Sequence, residues 1–377
     1  MIGDRAHRRL LWLGMVAALT GGGAAIWGCL NEPQAFYTAW LAGFYFWVSM
    51  PLGALALLLI WDLTGGAWEP FARLPLTAMA ATMPLFVLLF LPIIAGMPAL
   101  YAWTRPEVIP ALHNRWYLND DFFFIRAAVY FVAWNGFMAW RLLRPAMPGG
   151  AAPPGLEWVS AIGLIFMALT VTFAGIDWIM STEPDWFSSI YGMVVGSSQF
   201  TAALSLALLL IVAGAPPRGP AREPFARALA SLATLLLAVV IFWAYTSFCQ
   251  WLIIWEENLR REIGWYLERW RGAWASVIYA LAGAQFAVPF VALVWTPAKR
   301  SPLVVGAVAL LLLVADLIQI WWLLLPPFRE SGFSWLHPMV ALGIGGLWLL
   351  LLSLLLRLPV AAALPRAQRG DRRPAHG

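Results

Sequence analysis

An all-α integral membrane fold of ten transmembrane helices, with both termini cytoplasmic, is what this sequence predicts, and three observations carry the prediction. The 377-residue chain is 62% hydrophobic and only 11% charged, with a mean hydropathy of +0.76. A soluble core has no room for that much apolar surface, so lipid must be the solvent for much of the chain. Ten stretches approach or exceed the roughly 20 mostly apolar residues that a bilayer crossing takes. Aromatic residues reach 15%, with 24 tryptophans, which suits a chain with many membrane-water boundaries where amphipathic rings settle.

The ten stretches lie at 10–30, 38–61, 75–95, 120–143, 157–180, 187–213, 227–255, 272–295, 302–325 and 334–357. The first lacks a small-residue cleavage site and reads as a retained helix. The third and eighth contain Pro84 and Pro289. The stretch PGGAAPPG, Pro148 to Gly155, then reads as a flexible turn parting two bundles. The expected grouping is two four-helix bundles plus a flanking pair, in one polytopic domain over 1–363.

Lys and Arg set the orientation. With the N-terminus inside, sixteen fall in cytoplasmic segments and seven outside, which predicts both termini cytoplasmic. The same loop distribution accounts for a pI near 9.5 and excludes nucleic acid as a partner. The basic tail 364–377 reads as disordered cytoplasmic coil. Between the seventh and eighth helices, EENLRREIGWYLERWRG (256–272) places Leu259, Ile263, Tyr266, Leu267 and Trp270 at helical spacing. An amphipathic helix lying flat on the outer surface is expected there.

The chain has two cysteines, Cys29 and Cys249, without a CxxC, and its four histidines are His7, His113, His337 and His376. Neither a thiolate metal site nor covalent haem attachment has a ligand set, and His113 with His337 makes a poor axial pair. No cofactor is expected to be bound by this chain.

Ionisable groups in lipid are costly and so are functional candidates by default. Asp177 closes the fifth helix, with Glu183 and Asp185 following in a tight acidic turn. Asp177 reads either as a solvated, proton-exchanging group or as one half of a structural ion pair. Arg126, whose permanent charge cannot relay protons, reads as structural, with Asp120 and Asp121 close before it. Asp316, one turn from Gln319 on the ninth helix, reads as a proton relay or a packing group. Tyr245 and Gln250 offer hydrogen bonds to a quinone carbonyl, or simply pack. His337, before a proline, reads as an interfacial cap. All of these fall in the outer half; the cytoplasmic half offers only hydroxyls such as Thr77, Thr82 and Ser353.

These residues carry a resemblance. Asp177-Trp178-Ile179-Met180-Ser181, Pro184, Trp186-Phe187-Ser188 and Tyr191-Gly192 are similar to a signature of the ActF-type membrane subunits of bacterial alternative complex III, which are NrfD-like. Phe242-Trp243-Ala244-Tyr245 through Phe248, Gln250, Trp255 and Asn258 resembles a second segment of that family, and Tyr117-Leu118-Asn119 with Phe122, Phe123 and Arg126 a third. The match runs in order from about residue 110 to the tenth helix. It departs after Asn258-Leu259, where Arg260-Arg261-Glu262 stands in place of Pro-Glu-Glu.

The resemblance implies a subunit of a quinol:cytochrome c (or oxidase) oxidoreductase in the bacterial inner membrane, inactive alone. Implied partners are an ActC-like NrfD-type membrane subunit, an iron-sulfur subunit and multihaem cytochrome c subunits, with haem c and iron-sulfur clusters held by them. It implies contact with quinone and lipid and an outward polar half-channel for protons. Rival readings are a secondary transporter, expected to show discontinuous helices in corresponding segments, and a purely structural scaffold.

Overall fold

The computed structural model describes residues 4–66, 68–112, 114–143, 157–214, 219–328 and 332–357. The turn at 148–155, the tail 364–377 and His113 lie outside the described residues. Among those described the chain is helical, and ten helices are long and apolar enough to cross a membrane. The molecule is a multi-pass membrane protein; its inner and outer ends are named here from the charge distribution.

The elements are α1 (Asp4–Asn31), α2 (Pro33–Thr64), a segmented third span of α3 (Glu69–Ala80), α4 (Met83–Leu89), α5 (Leu91–Ala95) and α6 (Met97–Leu100), then α7 (Asp120–Leu143), α8 (Glu157–Trp178) and α9 (Tyr191–Ala213). There follow α10 (Arg222–Glu257), the short outer α11 (Arg260–Arg269), α12 (Ala273–Leu281), α13 (Val288–Val294), α14 (Thr296–Lys299), α15 (Pro302–Leu324) and α16 (Leu336–Leu355).

Proline chemistry explains the third span. Pro84, Pro92 and Pro98 each stand in the first turn of a new segment, the one place where a missing N–H costs nothing. The breaks are satisfied locally: the Thr82 hydroxyl donates to the Met79 carbonyl at 2.6 Å and accepts from the Trp348 indole at 2.8 Å. In the eighth span a π turn over Ala282–Ala287 separates α12 from α13. It ends two residues before Pro289, which has no N–H to return to the Gln285 carbonyl.

The central helix is α2, buried along most of its length and packed against α3, α8, α9, α15 and α16. At its middle, Phe44 meets Trp178 and Phe90, and Trp178 in turn meets Phe131, Trp134 and Tyr130. Lipid tails are as apolar as leucine, so such interdigitated rings hold helices together by close packing. At the edge, α1 lies along α16 with the backbones almost touching: a Cβ added at Gly21 or Gly346 would overlap the backbone of Gly343 or Ala18. The opposite face of α1, with Trp12, Leu13, Leu19 and Ile26, is exposed, as a lipid-facing surface is.

The outer helix forms, but its inward face differs from the expected one. Trp265, Tyr266 and Arg269 are buried, whereas Leu259 and Leu267 face outward. The Trp265 ring stacks on Trp186 at 4.5 Å, 13° from parallel, and Arg269 lies 3.6 Å over the Trp265 ring. The helix is clamped to the protein by aromatic and cation contacts that outweigh its leucines.

Candidate functional site: buried polar centres and a lipid-side cavity

Among the described residues, three buried polar centres and a large cavity stand out. The first joins α7 to α8. Asp177, 1% exposed, receives Arg126 Nε at 2.8 Å on Oδ2 and Nη2 at 2.9 Å on Oδ1. The Tyr117 hydroxyl donates to Oδ1 at 2.9 Å and the Tyr130 hydroxyl to Oδ2 at 2.6 Å. Arg126 also donates to the Tyr117 carbonyl at 2.9 Å, and its guanidinium lies 3.9 Å over the Tyr117 ring. Tyr117 belongs to the outer loop, and burial, then the Asp177 charge, push its pKa well up.

Two-pronged arginine pairing plus two phenols occupies the carboxylate fully. Of the two readings for Asp177, the geometry favours the structural pair. Arg126 is structural as expected, but its partner is Asp177, not Asp120 or Asp121. An outer cavity of about 410 Å³ touches Tyr117 and Arg261, with Asp177 sealed beneath it.

The second centre lies between α9, the π turn and α15. Asp316, 1% exposed, takes the Ser198 hydroxyl on Oδ1, and its Oδ2 has no partner. Ser198 Oγ also stands 3.1 Å from Gln319 Oε1, which accepts Gln285 Nε2 at 2.7 Å. Gln285 Oε1 and the Tyr45 hydroxyl are buried without a partner. The two candidates Asp316 and Gln319 are therefore in one cluster, and Ser198 and Gln285 join them from 118 and 34 residues away.

A third centre, at the inner end, went unread. Asp62 Oδ2 lies 2.9 Å from Arg141 Nε and accepts the Ser160 hydroxyl at 3.0 Å, and Glu69 pairs with Arg73 at 3.2 Å. Asp62, Glu69 and Arg141 are all buried. The expectation that the inner half holds only hydroxyls is corrected. Arg141 counted only among the cytoplasmic charges that set topology, and Asp62, one residue past the second apolar stretch, was not singled out; α2 and α7 run on past both.

The remaining candidates sort by geometry. Gln250 donates Nε2 to the Tyr266 hydroxyl at 3.1 Å and accepts the Ser188 hydroxyl at 3.0 Å; burial pushes the Tyr266 phenol up to about 12. Tyr245 does not join that network. It is 63% exposed on the outer surface of α10, because it is five residues from Gln250 and five residues turn a helix half way round. Glu183 pairs at 2.6 Å with Arg269. Burial raises Glu183, with Arg269 partly offsetting it, and burial lowers Arg269.

Arg269, 1% exposed, also donates to the carbonyls of Trp322 at 3.2 Å and Leu323 at 2.6 Å, closing the end of α15. By sequence Arg269 is only one of the seven outer charges; its position four residues after Trp265 was the available sign. Asp185 is exposed and pairs with Arg261 at 3.3 Å. His337 is buried, accepts the Ser334 N–H on Nδ1 at 3.1 Å and closes the turn into α16.

A cavity of about 590 Å³ opens between α10, α12 and α15. Gln250, Tyr245 and Gln319 line it, as do Trp243, Ser247, Trp251 and Trp322. The indole N–H groups of those three tryptophans and the Ser247 hydroxyl are buried without an acceptor. The wall is apolar in surface, a lining that fits a lipophilic molecule. Among the described residues, no group of three His, Cys, Asp or Glu side chains is placed to hold a metal ion. No family model matches the chain, and no curated protein matches it.

Proposed function

We propose that this chain is an integral membrane subunit of a multisubunit quinol:cytochrome c oxidoreductase of the alternative complex III type, in the bacterial inner membrane. The observation that carries the reading is the apolar cavity of about 590 Å³ with Tyr245 and Gln250 on its wall. A quinone head takes a hydrogen bond from the exposed Tyr245 hydroxyl, and its chain lies along Phe248, Ile278 and Phe286. The motifs running from Tyr117 to Asn258 support the same assignment. In it, α2 to α8 and α9 to α15 form the two bundles and α1 with α16 the flanking pair, consistent with their packing.

On this reading the chain completes the membrane arm and harbours quinol, while an ActC-like subunit, an iron-sulfur subunit and multihaem cytochromes carry the electrons. The outward polar route runs along the cavity wall, from Asp316 and Gln319 to Gln250, Tyr266 and Ser188, and toward the acidic turn at Glu183. Asp177 lies outside it as a structural lock.

A second reading, a secondary transporter, rests on one observation. The third and eighth spans are the interrupted ones, and they hold the same place in a division of five plus five. Mild-detergent affinity purification from the native membrane separates the two, with haem spectra and quinol:cytochrome c reductase activity measured on the eluate. Co-purifying c-type haem and activity are expected. An eluate without haem in every detergent, coupled to solute uptake in liposomes, overturns the oxidoreductase reading and puts transport first.

A further inference from the structure

We infer that the cluster of Asp316, Ser198, Gln319 and Gln285 is a binding site for a single small monovalent cation, Na+ by its size. Four observations lead there. The first is charge. Among the described residues, the buried carboxylates Asp62, Glu69 and Asp177 each face an arginine, and Asp316 faces none. Asp316 is the fifteenth residue of α15, about 20 Å of helical rise from one end and about 12 Å from the other. A charged, unpaired carboxylate at that depth costs far more than folding can offset, so a proton or a bound cation neutralises it.

The second is the count of hydrogens. The Ser198 hydroxyl approaches both Asp316 Oδ1 and Gln319 Oε1, Gln285 Nε2 is spent on Gln319 Oε1, and Oδ2 of Asp316 and Oε1 of Gln285 are buried without a donor. Buried oxygens left without donors are what a cation's ligands look like before the cation is placed. The third is space. A cavity of about 10 Å³, lined by Ser198, Thr201 and Gln285 together with Val240, Trp243 and Leu312, adjoins two members of the cluster, room for one water or one bare small ion and too little for a hydrated one. The fourth is the backbone: Gln285 lies inside the π turn, a distortion that recurs where helices serve a ligand.

Ligand chemistry selects the ion. The donors are all oxygen, which suits a hard cation. One carboxylate among neutral amides and hydroxyls balances one positive charge and leaves a divalent ion undercompensated. From α2 the Tyr45 hydroxyl, also without a partner, is neutral and adds no competing charge.

The test is equilibrium binding of radioactive sodium to the purified full-length chain in detergent, with K+ and choline as competitors and pH varied. A single saturable Na+ per chain is expected, displaced weakly by K+ and not by choline. Asp316→Asn, nearly the same shape and without charge, should weaken binding by at least about tenfold, equivalent to about 1.4 kcal/mol. Gln285→Leu, which keeps the carboxylate, should weaken it too and serves if the Asn variant fails to fold. Absence of saturable Na+ binding to the folded wild-type chain overturns the inference, as does Na+ binding that both variants retain. Heat stability that rises with acid and ignores Na+ would assign the site to a proton instead. The inference rests on the carboxylate cluster and not on the quinol reading, whose own test is co-purification, so either fails without the other.

Discussion

Replacing Arg126 by leucine should destabilise the protein by about 3–5 kcal/mol, the range for breaking a buried pair and leaving one charge behind. The geometry supplies the reasons. Arg126 provides two of the four hydrogen bonds that Asp177 receives, at 2.8 and 2.9 Å, and bonds to a charged group contribute about 1.5–3 kcal/mol each. Tyr117 and Tyr130 continue to donate in the variant, which places the loss near the lower end. Asp177→Asn strands the guanidinium instead, but its stacking over Tyr117 and Phe122 survives, so about 2–3 kcal/mol is expected. The double variant Arg126→Leu with Asp177→Leu removes both charges and should lose at least about 2 kcal/mol less than the two single losses added together. Unfolding of the detergent-solubilised protein, followed by tryptophan fluorescence during denaturant titration, measures all three. Single variants within about 0.5 kcal/mol of wild type, or a double variant equal to the sum, would refute the lock.

Two further outcomes are expected at the outer face. Arg269→Met strips the partner from Glu183 and uncaps the Trp322 and Leu323 carbonyls; a loss of about 3–5 kcal/mol should follow, read as faster proteolysis across residues 259–272. Burial holds Tyr266 at a pKa of about 12 against an ordinary 10.0, so the folded protein keeps that proton after the unfolded chain has lost it. Its contribution to stability is complete below pH 10 and disappears as pH climbs toward 12, by up to about 3 kcal/mol. Tyr266→Phe should flatten the fall in unfolding free energy over that window, and an unchanged slope would contradict it.

The spans were legible in the sequence because a bilayer makes one local demand, some twenty apolar residues in a row, and each run meets it without reference to any other. The prolines that segment the third span and adjoin the π turn of the eighth were equally visible, since a missing N–H acts on its own turn. Partners were not. Asp177 finds Arg126 across 51 residues, Ser198 finds Asp316 across 118, and Asp62 meets an arginine that had been counted as a topological charge. Composition said that each charge in lipid needs an answer; which helix brings the answer depends on how all ten pack. The difference between a lock at Asp177, with its arginine, and an open ligand set at Asp316, with none, is therefore a property of the tertiary structure alone. Pair energies depend on a few ångströms of separation, and only packing sets those distances.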